Sequence, residues 1–182
     1  MAHFKPIFTQ RLILRRLEEE DADGILEYRR MREIYIHQGF KPETKDDALD
    51  FIRMRSEEPN IPGSRFQLAV CLIASGKLIG DIGLRFLSDG QQMEIGYTIH
   101  PEFQGKGYAS EALSSIFDYL FIELGKHRIT ASIDPENYKS INLCKRLRMR
   151  KEAHFIKSLQ INGEWVDDVI YAILAEEWIE NI

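Results

Sequence analysis

The chain has little of what staples, anchors or metallates a protein. Cysteine occurs twice, at Cys71 and Cys144, far apart and without C-x-x-C spacing. That usage excludes a disulfide framework and a zinc knuckle, and it suits a reducing compartment. The five histidines (His3, His37, His100, His127, His154) show neither H-x-x-x-H nor H-E-x-x-H spacing, so no metal site is expected. No run approaches the ~18 apolar residues of a membrane span. The opening stretch, MAHFKPIFTQ, lacks the apolar core of a signal peptide. Basic charge is not in excess either. Lys and Arg number 24 against 29 Asp and Glu, and a net charge of −5 opposes general nucleic-acid binding. The expectation is a cytoplasmic protein with neither a membrane nor a nucleic acid as partner.

What is present is an ordinary globular composition, 44% hydrophobic and 29% charged over 182 residues. No repeat or low-complexity linker divides it, so residues 1–182 are expected to form one domain. Residues 11–17 are a strand candidate, and the acidic run 18–23 opens a helix to about Arg32, where negative charge suits the positive helix end. A loop rich in aromatic groups covers 34–43. Thr44, with Asp47 three residues on, is a capping box for a helix carrying Ala48, Phe51, Ile52 and Arg55. The stretch 57–64 breaks that helix with two prolines and a glycine. Strands follow over 66–74 and 77–87, joined at Ser75-Gly76, and over 93–99. The period then changes: apolar residues at 109, 112, 113, 116, 117, 120, 121 and 124 trace one helix face, and Gly125 stops it. A strand at 128–134 and a short helix at 138–147 precede a hairpin, 150–161 and 164–175, turning at Asn162-Gly163. The order β-α-α-β-β-β-α-β-α-β-β is that of an α+β, or mixed α/β, protein.

The segment PEFQGKGYAS (101–110) lies where the third of the meander strands enters the long helix. Two glycines flanking Lys106, at the positive end of a helix dipole, can admit an anion to free backbone N–H groups. A plain helix-entry turn is the other reading. The spacing is not that of a Walker A loop, because Lys106 lies between the glycines with no Ser or Thr after it, nor of G-x-G-x-x-G, because Ser110 takes the third glycine's place. The basic run Lys145, Arg146, Arg148, Arg150 and Lys151 is either a solvated face or a set of partners for ligand phosphates.

Taken together, Gln104-x-x-Gly107-x-Ala109, the preceding E-I-G-Y-T-I strand and the turn H-P-E-F resemble the acetyl-coenzyme A pyrophosphate loop of the GNAT superfamily of N-acetyltransferases. TQRLILRRLEEEDAD near the start, Asn137-x-x-Ser140-x-x-Leu143 and the ending DDVIYAILAEEW resemble the RimJ/RimL-like branch. The resemblance implies a central mixed, mostly antiparallel sheet of about seven strands flanked by four helices. It implies direct acetyl transfer from acetyl-CoA to a primary amine, either a protein N-terminus or a small molecule. Gln104, Gly105, Lys106, Gly107, Tyr108 and Ala109 would hold the pyrophosphate. Main-chain groups of Ile95, Tyr97 and Ile99 would hold the pantetheine arm, with Asn137 bonding it.

Such a reaction needs a base for the ammonium and an acid for the leaving thiolate. Glu94, alternating with Ile95 on an otherwise apolar strand, is the candidate base, with partial burial expected to raise its pKa. A solvent-facing glutamate is the alternative. Ser140 is the candidate acid, or a small packing residue; Asn137 is equally suited to cap its helix. Where many family members carry a tyrosine acid in L-Y-E-K-L-G-F, this chain has L-C-K-R-L-R-M, so Cys144 stands in the tyrosine's place and Arg148-Met149 replaces Gly-Phe. Cys144 itself is a nucleophile only if activated, and no histidine is adjacent. Substrate selection is expected from Tyr35, His37, Phe40 and the closing hairpin. A homodimer is among the open assembly states, and a non-catalytic acyl-CoA-binding sensor is the alternative role.

Overall fold

The computed structural model describes residues 4–180, so His3 and the start of the N-terminal stretch lie outside it. Eight strands form one sheet in the order β1-β2-β3-β4-β5-β6-β8-β7. They are β1 (Ile7–Phe8), β2 (Leu12–Arg16), β3 (Arg65–Leu72), β4 (Leu78–Phe86), β5 (Gln92–Ile99), β6 (Arg128–Ile133), β7 (Arg150–Ile161) and β8 (Glu164–Leu174). Every pairing is antiparallel except β5 with β6. A parallel pair needs a crossover, and α4 (Tyr108–Asp118) supplies it. The remaining helices are α1 (Ala22–Arg29), α2 (Arg32–Tyr35), α3 (Lys45–Arg53), α5 (Tyr138–Arg146) and α6 (Ala175–Ile179).

Two hydrophobic cores lie on opposite faces of the sheet. On one face α4 buries Ala112, Leu113, Ile116 and Phe117 against Leu12, Leu14, Leu68, Leu84, Met93 and Ile95. On the other, Ile25 and Tyr28 of α1 and Phe51 and Ile52 of α3 pack over Ala69 and Cys71. β3 is covered on both sides, which is why RFQLAVCL shows no clean alternation. The Thr44 box forms as expected: Thr44 Oγ1 accepts from Asp47 N at 3.2 Å, and Asp47 Oδ2 accepts from Thr44 N at 2.8 Å.

The α+β class holds, with more elements than expected: eight strands instead of about seven, and six helices instead of four. The extra pieces are the two-residue β1, the single turn α2 and the short α6. The helix expected over 18–32 breaks because Met31 is extended (ψ 136°). The β3–β4 connection is a five-residue loop, 73–77, instead of a two-residue turn. Its ends are tied by Leu72 N to Lys77 O at 2.9 Å and Gly76 N to Leu72 O at 2.8 Å. The long helix ends in a wider turn, Tyr119–Glu123, before Gly125 at φ +61°. Asn162 and Gly163 take φ of +51° and +86°, the left-handed pair of a tight hairpin turn.

The Arg148-Met149 departure has a definite conformation. Met149 N donates to Cys144 O at 2.9 Å and Arg148 N to Lys145 O at 3.0 Å, which closes the helix as a Schellman-type cap. That cap puts Arg148 at φ +61°, the place where glycine is favoured. The backbone path of a Gly-Phe ending is therefore retained at a cost in strain. Replacing Arg148 with glycine is expected to stabilise the fold by about 1 kcal/mol in urea unfolding, the left-handed penalty of a side chain less the entropy of glycine. A destabilisation would show that the Arg148 side chain contributes more than its strain.

Candidate functional site

The parallel pairing between β5 and β6 covers only Gln92 with Arg128, Met93 with Ile129 and Glu94 with Thr130. Beyond that point β5 continues to Ile99 bound to β4, and β6 to Ile133 bound to β8. The two strands separate, and their facing edges have no strand partner. A cavity of about 260 Å³ opens in this gap. Ile95, Tyr97, Asn137 and Ser140 line it from the α4 and α5 side; Gly83, Gly96, His37, Phe40 and Phe51 line it from the α1–α3 side. Gly83 and Gly96 are register partners on adjacent strands, and together they leave a hollow in the sheet's second face. A Cβ on Gly83 would come within 3.0 Å of Gln67 Oε1, whereas one on Gly96 would meet nothing within 4 Å.

At the open end of the gap stands the loop into α4. Gly105 (φ +74°) and Gly107 (φ +82°) both occupy the left-handed region, so the chain turns back on itself there. The N–H groups of Gly105, Lys106, Gly107, Tyr108 and Ala109 have no acceptor among the described residues. They lie at the N-terminus of an eleven-residue helix, where positive dipole charge accumulates. Gln104 braces the loop: its Nε2 donates to Ile99 O at 2.9 Å and its Oε1 accepts from Lys139 Nζ at 2.8 Å. Ile99 O is thus already engaged. Arg11 adds a cation that was not apparent in the sequence: Nη1 donates to Lys106 O at 3.0 Å and its guanidinium lies 4.4 Å from the Tyr108 ring centre. Glu111 pairs with that guanidinium through Arg11 Nε at 2.6 Å, and in the basic run Arg150 is likewise bound to Glu152 and Glu177.

On the α5 side, the helix cap and the site share a residue. Asn137 Oδ1 accepts from Ser140 N at 3.1 Å, so Asn137 does cap α5, and its Nδ2 has no partner among the described residues. Ser140 Oγ and Tyr97 Oη share a 2.6 Å hydrogen bond, and Cys144 Sγ lies 3.8 Å from the same phenol. Sequence reasoning treated Tyr97 only as a main-chain group. Its phenol comes from β5 to the spot that Cys144 leaves without a hydroxyl; the only signal was the alternation that put Tyr97 and Ile95 on one face. Burial, with the neighbouring Cys144, holds the phenol well above its ordinary pKa. Burial also pushes the Cys144 thiol up to about 11, only partly offset by the Tyr97 bond. Cys144 is a thiol at neutral pH.

The opposite wall rests on a buried carboxylate. Asp81, fully buried, accepts from Tyr28 Oη (2.5 Å), Arg29 Nη2 (2.5 Å), Arg29 Nε (3.2 Å) and Gln67 Nε2 (2.5 Å). Arg29 Nη1 goes on to Gln38 Oε1 at 2.9 Å, and Gln38 Nε2 to Thr98 Oγ1 at 2.8 Å. α1 and the following loop are thereby fixed to β3, β4 and β5. His37 shares a 2.6 Å hydrogen bond with Asp134 at the end of β6, which spans the gap. Of the expected selectivity residues, His37 and Phe40 reach the cavity, while Tyr35 O accepts from Asn162 Nδ2 of the closing turn at 3.2 Å. The acidic start is structural: Asp21 pairs with Arg15, Glu19 with Arg53 and Asp23 with Lys45.

Glu94 does not line the cavity. Its side chain is 41% exposed, so the expected partial burial is slight, and Arg85 Nη1 stands 3.4 Å away. It points to the same face as Gly96, two residues on, at the rim of the hollow. Among the described residues no group of His, Cys, Asp or Glu gathers as a metal site, and no helix is long and apolar enough to cross a membrane.

This arrangement has known counterparts. A family profile for the acetyltransferase (GNAT) domain matches residues 11–150. YnaD, an uncharacterised N-acetyltransferase of Bacillus subtilis (strain 168), is 36% identical over 174 residues, spanning 94% of this chain and 98% of its own. The crystal structure of a GNAT-family acetyltransferase from Bacillus anthracis matches with a TM-score of 0.85 at 31% identity, over 95% of this chain and all of the other. Spermidine N-acetyltransferase from Vibrio cholerae, solved with CoA and spermine, matches with a TM-score of 0.79 at 26% identity, over 92% and 98% of the two chains.

The thiol assignment is open to a direct check. Alkylation of Cys144 in the folded protein is expected to be slow at neutral pH and to accelerate only toward pH about 11, because the reactive thiolate forms there. Rapid modification at neutral pH would mean that the thiolate is stabilised, contrary to its burial.

Proposed function

Because this chain belongs to the GNAT family of acetyltransferases, and is an acyltransferase by that membership, we propose that it moves an acetyl group from acetyl-CoA directly to a primary amine. The observation that carries this reading is the junction of two features. An unpaired gap between β5 and β6 ends beside a loop whose backbone N–H groups have no acceptor. An elongated ligand with amides along its length and phosphates at one end would satisfy both. The residues of the α5 helix, Asn137-x-x-Ser140-x-x-Leu143, support membership of the RimJ/RimL-like branch.

Acetyl-CoA supplies an activated thioester; the rest of the chemistry falls to the chain. Gly105 to Ala109 take the pyrophosphate charge on their N–H groups at the start of α4, and Gln104, braced by Lys139, keeps the loop in place. The free edge of β5, from Ile95 through Tyr97 toward Ile99, holds the pantetheine amides, with Asn137 Nδ2 as a further donor. A main-chain N–H of β5 polarises the thioester carbonyl. The bonded Ser140–Tyr97 pair returns a proton to the departing sulfur, the phenol remaining protonated because it is buried. Glu94, half exposed at the rim, accepts the ammonium proton through water, since its carboxylate stands outside the cavity. The acceptor, a protein N-terminus or a small amine, enters over Gly96 from the α1–α3 side.

Two measurements test the assignment. Calorimetry of the intact protein is expected to show acetyl-CoA binding, and Gly107→Asp should weaken it by about a hundredfold or more, because a carboxylate meets phosphate charge on a left-handed residue. An intact protein that binds no acetyl-CoA would overturn the reading. Glu94→Gln should lower kcat by about a hundredfold at neutral pH with acetyl-CoA affinity unchanged, the usual loss of a general base. Equal rates for the two proteins across that pH range would remove Glu94 from the mechanism.

A further inference from the structure

Beside the cavity, outside its lining but on the same sheet face as the Gly83–Gly96 hollow, lies a row of arginines with little carboxylate to balance it. Arg65 on β3 pairs in register with Arg85 on β4, and Arg85 pairs with Glu94 on β5. Ser56 N donates to Arg65 O at 2.8 Å, which brings Arg55 alongside the same row. Three arginines therefore flank one carboxylate. Like charges directly opposite one another across a sheet are destabilising. Glu94 reaches only Arg85, at 3.4 Å, and neither Arg55 nor Arg65 has an ion-pair partner among the described residues.

Arg55 is the more telling of the two. Its guanidinium lies 4.2 Å from the centre of the Phe51 ring, which also has the Arg29 guanidinium at 4.9 Å and Phe40 stacked on it, and Phe51 lines the cavity. Arg29 is ion-paired with Asp81; Arg55 has no ion pair among the described residues, and its Nε is buried without a hydrogen-bond partner. Burial, together with repulsion from Arg65 and Arg29, depresses the Arg55 pKa against a smaller opposing pull from Asp81. The opposite rim has the reverse sign. Asp134 lines the cavity beyond the gap, and Asp168 accepts from Ser132, another lining residue, at 2.8 Å. At about 3.4 Å per residue, the Arg65–Arg85 row lies about 7 Å along the strands from the Gln67–Gly83–Gly96 hollow.

Resting on the acetyl-transfer reading above, we propose that the acceptor is zwitterionic: an amine that also carries a carboxylate or phosphate. The anion sits on Arg55 and Arg65 while the amine lies over the Gly83–Gly96 hollow, facing the acidic rim. Recognition by two guanidiniums fits the planar, forked donors of arginine. A polyamine is disfavoured at this site, because its second cation would meet the arginines.

The test follows CoA thiol release with α-amino acids, with their methyl esters, with an aminoalkyl phosphate and with spermidine. The expected kcat/KM for an anionic amine exceeds that for its neutral ester by about tenfold or more, the usual scale of a charge-assisted contact. The faster of carboxylate and phosphate identifies the anion. Arg65 is exposed, so Arg65→Gln should fold; it should bring the acid-to-ester ratio toward one, and Arg65→Glu should invert it. A second readout does not depend on turnover. With CoA saturating the loop, inorganic phosphate should raise the melting temperature of the native protein but not of Arg65→Gln. Preference for esters or spermidine, a ratio unchanged by Arg65→Gln, or no phosphate effect overturns the zwitterion inference alone. Absence of acetyl-CoA binding overturns the transferase reading and this inference with it.

Discussion

The structure depends on the point where β5 and β6 stop pairing. Each strand has a full partner on its other side, β4 for β5 and β8 for β6, so the sheet is held as two halves joined by three residue pairs. Past Glu94 and Thr130 the halves diverge and leave backbone N–H and C=O groups without strand partners. Unpaired backbone in a protein interior is costly, and an open edge invites another chain. The sheet tolerates it because the edge borders a cavity, and because α5 enters the gap with Asn137 and Ser140 while Tyr97 reaches across to meet them. The site is the place where the sheet is left incomplete.

The two faces of the gap are built by different means. On the α4 side, the backbone does most of the work: two left-handed glycines, a helix start and a bare strand edge. On the α1–α3 side, buried side chains set the shape. Asp81 binds Tyr28, Arg29 and Gln67 at once, and removing one partner of such a network would leave a buried charge uncompensated. That anchoring turns a short helix and an irregular loop into a fixed wall bearing His37, Gln38 and Phe40. The α4 side thus relies on main-chain geometry, while the α1–α3 side relies on paired side chains.

This division explains what was legible in the sequence. The periodicity from Ala109 to Leu124, the Thr44 capping box and the Asn162-Gly163 turn are local signals, and each appears in the fold. The glycines of the turn into α4 were legible for the same reason, since a left-handed backbone at a helix start has few sequence solutions. Tertiary partnerships were not. Nothing local to Asp81 announces four donors from two other elements, and Arg11 meets its loop from about a hundred residues away. Tyr97 was read only as a main-chain group, and the pairing of its phenol with Ser140 needed the gap to be seen. Glu94 was judged by alternation alone, which assigns a face but not a depth. Cys144 marked a missing hydroxyl without showing where the replacement came from.

Hydrogen exchange of individual amides, with and without acetyl-CoA, tests the account at its centre. Binding is predicted to slow exchange at Gly105 through Ala109 and along the free edge of β5 between Ile95 and Ile99, while amides paired between β3 and β4 change little. Protection confined to another surface, or none along β5 with acetyl-CoA bound, would contradict it, because the incomplete sheet would then not be what the ligand completes.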